Sequence, residues 1–116
     1  MGLMDFFINA SANTAIFNLK LHVKRLNGSF PHNPKAASEV VLEMLEMAIS
    51  ALTAKRSKGE LLNHLLPEAQ SDDIKTLTEL TLNMAEAYYL KNEDLKNPTF
   101  LNLQTFFEAK TGFRLP

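Results

Sequence analysis

Apolar residues crowd one stretch of the chain more densely than any other. Between Pro34 and Arg56, Val40, Val41, Leu42, Met44, Leu45, Met47, Ala48, Ile49, Ala51 and Leu52 recur, and on a helix they sweep an arc of roughly 220°. Glu39, Glu43, Glu46, Ser50 and Thr53 form the narrow strip left to water. A helix lying on the surface of a globule needs an apolar stripe of only about 100°. The pattern therefore predicts a helix over residues 34–56 that is the centre of a helical cluster or is shared with a second chain.

Turn and cap signals divide the rest. Asn-Gly-Ser-Phe-Pro-His-Asn-Pro at 27–34 reads as a loop, with Asn33 as N-cap and Pro34 in the first helical position. Ser57 and Glu60 have capping-box spacing ahead of Leu61, Leu62, Leu65 and Leu66, which predicts a short helix over 58–66 stopped by Pro67. Ser71 followed by Asp72 and Asp73 opens a fourth helix over 72–91. Its stripe of Ile74, Leu77, Thr81, Met84 and Tyr88, with Leu80, Leu82, Ala85 and Tyr89, widens to roughly 200°. Asn97-Pro98 repeats the cap signature, and Gly112 marks the end of a last helix over 98–110 anchored by Phe100, Leu103, Phe106 and Phe107.

The first segment is ambiguous. Phe17 to Lys24 alternates like a half-buried strand, while Ala12, Ala15, Ile16, Leu19, Val23 and Leu26 share one helical face. A lone strand has no partner in this chain and could persist only by pairing across a dimer, so the helix is preferred. The expected fold is all-α, a compact bundle of four main helices plus one short connecting helix, in a single domain over residues 1–116.

Composition narrows the chemistry. Apolar residues at 46% and charged residues at 22% belong to a globular chain. The absence of cysteine removes disulfides, a thiol nucleophile and thiolate-held metals. A net charge of −1 gives no general pull toward phosphate backbones or anionic lipid. The N-terminus ends in a small-x-small triplet, but it lacks a basic region, and its apolar run, Phe6 to Ile8, is too short for a secretion signal. Phe6 also stands where a myristoylation signal has Ser or Thr. With no apolar run near the roughly 18 residues of a membrane span, a cytoplasmic location is expected.

No catalytic, metal, nucleotide or nucleic-acid motif rises above background, and no catalytic residue, metal ligand or cofactor is assigned. Glu39, Glu43 and Glu46 share a face but lie opposite the apolar arc and lack the Glu-x-x-His pairs of a di-iron bundle. A solvated acidic strip is the simpler reading, with Lys20, Lys24 or Arg25 as neighbours that would relieve its repulsion. His22, His32 and His64 show no ligand spacing; His22 reads as complementing a helix C-terminus. The basic groups Lys20, His22, Lys24, Arg25 and Lys35 are too few, and too sparsely interleaved with aromatics, to favour nucleic acid. Lys55, Arg56 and Lys58 read as last-turn cations of the central helix.

Two functional expectations remain. The first is a non-enzymatic interaction or regulatory module, acting on a protein partner or as a homodimer, through an apolar patch of Val40, Met44, Met47 and Ala51 joined by Tyr89. The second is a binder of a small apolar ligand in a cavity between the central, fourth and last helices, lined by Met84, Tyr88 and Phe107.

Overall fold

The computed structural model describes the backbone from Leu3 to Pro116 and the side chains from Asn13 onward. The readings placed on Phe6 to Ile8, on the small-x-small triplet and on the Ala12 side chain lie outside the described residues. The chain folds into α1 (Leu3–Ser29), α2 (Pro34–Thr53), α3 (Lys58–Leu65), a 3-10 turn (Leu66–Glu68), α4 (Asp72–Tyr89) and α5 (Glu93–Thr111). This is the expected all-α bundle of four main helices and one short connector. The described residues contain no strand, so the alternating segment from Phe17 is helical.

Three of the expected caps form. Asn33 accepts from the Ala36 N–H, with Pro34 in the first turn of α2; Ser57 accepts from the Glu60 N–H, and Ser71 from the Ile74 N–H. Each satisfies a donor that the first turn leaves without an internal partner.

Four boundaries differ from expectation. The helix of residues 34–56 stops at Thr53, and that of 72–91 at Tyr89, because both close in the same motif. Lys55 adopts φ 67°, its N–H bonds the Leu52 carbonyl, and the Arg56 N–H reaches back to Ala51. Lys91 adopts φ 54°, with matching bonds from Lys91 to Tyr88 and from Asn92 to Ala87. This is Schellman closure with lysine in the left-handed position that glycine ordinarily takes, so Lys55 and Arg56 lie beyond α2 and are not last-turn cations. α1 runs through Asn27 and Gly28 to Ser29, where a loop was expected. Asn27 there spends its side chain on another element: Nδ2 donates to the Glu68 carbonyl at 2.7 Å and Oδ1 accepts from the Gln70 N–H at 3.0 Å. α5 begins one turn and more before Pro98. Asn92 caps it by accepting from the Asp94 N–H, Glu93 and Asp94 meet the positive end of the helix dipole, and Pro98 lies inside.

Packing is layered. α2 and α4 form the inner pair; α1 lies against α2, α5 against α4, and α3 against α1 and α4, while α2 and α5 barely meet. One core joins Leu19, Val23 and Leu26 of α1 with Val41, Met44 and Ala48 of α2, Leu61 and Leu65 of α3, Leu77 and Leu82 of α4, and Leu103 and Phe107 of α5. Phe30, expected in a loop, is buried and packs its ring 5.5 Å from that of Phe107 and 6.3 Å from that of Phe106. Leu115 also returns to the core, and its carbonyl accepts from Gln104 Nε2. Among the described residues no helix is long and apolar enough to cross a membrane.

Candidate functional site

The apolar arc of α2 is covered within the chain. Val40 is 8% exposed, and Met44 and Ala51 are wholly buried, because α1 and α4 occupy the two sides of α2. These three residues cannot form the expected surface patch. Met47 is half-buried, and Tyr89, 42% exposed, is the member of the set that lies at the surface. The acidic strip behaves as expected: Glu39, Glu43, Glu46, Ser50 and Thr53 are all exposed.

The gap where α2 and α5 fail to close is a cleft of about 430 Å³. Leu42 and Leu45 come from α2, Met84 and Tyr88 from α4, and Glu93, Lys96, Asn97 and Phe100 from α5, with Pro116 at one end. Met84 is 5% exposed and forms part of the floor, Leu45 and Phe100 are half-buried walls, and Leu42 and Tyr88 are exposed at the rim. The polar side of the rim is internally paired. Lys96 Nζ lies 2.9 Å from Glu93 Oε1 and 5.1 Å from the centroid of the Tyr88 ring. The cation is thus held over an aromatic face and against a carboxylate.

Of the three residues expected to line a ligand cavity, Met84 and Tyr88 border this cleft. Phe107 does not. It is fully buried, wedged between Phe30 and Phe113, whose ring centroids lie 5.5 and 6.2 Å away. Phe100, on the same helix, is the α5 aromatic that lines the cleft. The spacing of Phe100, Leu103 and Phe107 marks one inward stripe; which end of it faces a gap depends on where α2 diverges from α5.

Comparison with protein-family models, with curated proteins and with solved structures finds no match for this chain. What the site does is therefore argued from its own chemistry.

The titratable groups of the described chain serve mainly to tie elements together. His22 is 5% exposed and lies in mid-helix, not at a helix end, because α1 runs on to Ser29. Its Nδ1 is 2.7 Å from the Asn18 carbonyl and its Nε2 is 2.6 Å from Glu43 Oε2. The carbonyl can only accept, so Nδ1 carries a proton and Nε2 faces the carboxylate. Arg25 Nη1 lies 3.8 Å from the same carboxylate, so α1 sets a cation, Arg25, against the acidic strip. Lys24 instead pairs with Glu68, and Lys110 with Asp73. His32 is exposed in the turn after α1. Among the described residues no three His, Asp or Glu side chains converge on a point where a metal ion could sit.

Proposed function

We propose that the protein is a non-enzymatic binding module whose site is the cleft between α2, α4 and α5. The observation that carries this reading is the pairing of size with chemistry. A space of about 430 Å³ falls in the range of roughly 300–1,000 Å³ that small-molecule sites occupy. Leu42, Leu45, Met84 and Phe100 offer an apolar bed, and Tyr88, Asn97 and the Glu93–Lys96 pair offer polar groups along one edge. Such a site suits a small, mainly apolar molecule with one polar end, and methionine in the floor lets the bed adapt to shape.

An environment-sensitive apolar dye tests the reading directly. The expected result is saturable binding that Leu42→Glu weakens at least tenfold, while Leu95→Glu, at an exposed position of α5 outside the cleft lining, leaves it intact. Binding unchanged by Leu42→Glu would remove the cleft from consideration. Native mass spectrometry of freshly purified protein adds a second readout, a retained guest of a few hundred daltons.

A protein partner, including a second copy of the chain, is the alternative reading. Its support is the exposed apolar end of α4, where Tyr88, Tyr89 and Leu90 are 42%, 42% and 58% exposed. Self-association that disappears in Tyr89→Asp, with dye binding retained, would favour this reading.

A further inference from the structure

A second concavity, of about 210 Å³, lies on another face of the molecule, between α1 and α3. It has the opposite character to the apolar cleft. Lys20 and Arg56 bring two fixed positive charges into its lining, with His64 beside them, against the single carboxylate of Glu60. Arg56 is held in place: Nη1 donates to Glu60 Oε1 at 2.9 Å and Nη2 to Asn13 Oδ1 at 3.4 Å. That pair cancels in charge but leaves further guanidinium N–H donors free. Lys20 is the positive charge of the lining that no described carboxylate pairs. It is half-buried. Beside these groups are Ile16, which is buried, and Phe17, an aromatic ring left 61% exposed. A ligand with an anionic head and an apolar body would pair the ammonium and cover the exposed ring together.

We propose that this cleft binds a small organic anion, its anionic oxygens set against Lys20 and Arg56 and its apolar or aromatic body laid on Ile16 and Phe17. The volume is that of about seven water molecules, enough for a carboxylate or phosphate group on one ring or a short branched chain. Charge-assisted bonds to anionic oxygens fix the head group, and His64, one turn beyond Glu60 on α3, is placed to add a third donor. The site shares no residue with the cleft of α2, α4 and α5, so it stands or falls independently of the function proposed there.

Amide spectra recorded by NMR during titration with phenyl phosphate, benzoate and inorganic phosphate, at fixed ionic strength, test it. The expected result is saturable shifts of amides in segments 13–20 and 56–64 with at least one of the two organic anions, and the comparison between them tells phosphate from carboxylate. Lys20→Gln should weaken that binding about tenfold. Phe17→Ala should weaken the organic anion while leaving the weaker interaction with inorganic phosphate unchanged. Phe17 is 61% exposed and Lys20 lies at the surface half-buried, and the spectra themselves report whether the variants are folded. Absence of saturation, saturation that Lys20→Gln does not alter, or inorganic phosphate binding as tightly as phenyl phosphate would overturn the proposal.

Discussion

Two lysines carry backbone conformations that their side chains oppose. At Lys55 and Lys91 the positive φ brings Cβ toward the adjacent carbonyl oxygen, a clash that costs on the order of 1 kcal/mol and that glycine avoids. Both side chains are exposed, and neither contributes an ion pair among the described residues. Lys55→Gly and Lys91→Gly should therefore each stabilise the fold by about 0.5–1 kcal/mol, reduced somewhat by the added freedom of glycine in the unfolded chain. Urea denaturation would show the gain as a higher midpoint at unchanged slope. A loss at either position would mean that the lysine makes a favourable interaction outweighing its strained backbone. Neither closure is signalled by glycine in the sequence, which explains why both helices read as longer than they are: without that residue, periodicity alone carries a helix into the next turn.

At the level of elements, the boundaries near Asn27-Gly28 and Asn97-Pro98 share a cause. Asn27-Gly28 and Asn97-Pro98 are strong local signals, yet each was overridden by a contact or cap elsewhere in the chain. Asn27 bridges the end of α1 to the backbone between the 3-10 turn and α4, satisfying the Glu68 carbonyl and the Gln70 N–H together. Asn27→Ala leaves both without that partner and should cost about 1–3 kcal/mol. Asn27→Asp keeps an acceptor for Gln70 but sets a carboxylate against the Glu68 carbonyl, so it should recover little. Hydrogen exchange at the Gln70 amide would speed up in the alanine variant; an unchanged rate would show that the clip contributes nothing. At the start of α5, Asn92 with Glu93 and Asp94 outcompetes the later Asn-Pro pair because it meets the dipole with two carboxylates. Pro98 then forfeits one backbone hydrogen bond on an exposed face, and the Thr99 hydroxyl donates to the carbonyl of Leu95 at 2.8 Å. Caps of the form Ser57, Ser71 and Asn33 were legible because donor and acceptor lie within three residues. The Asn27 clip was not, since its partners are 41 and 43 residues away. The candidate cleft was legible in part for the same reason: Met84 and Tyr88 share one helical stripe, but choosing Phe100 over Phe107 requires knowing where α2 parts from α5.

For the whole molecule, the width of the α2 arc leaves two ways to cover it, a surrounding cluster of helices or a second chain. The structure takes the first. α1 and α4 take the two sides of α2, and the total accessible surface is 6669 Å², close to the roughly 6300 Å² expected of a monomeric protein of 13.0 kDa. No large apolar face of α2 is left over whose burial would have to come from association. Any dimer formed through Tyr89 and its neighbours would join chains that are already folded, and an interface of that kind adds little to the stability of each. The midpoint of thermal unfolding should consequently stay constant across a hundredfold range of protein concentration. In an obligate dimer, dissociation accompanies unfolding, and dilution lowers the midpoint by mass action. A midpoint that falls on dilution would show that stability comes from a second copy after all, and would shift attention from the cleft to the exposed end of α4.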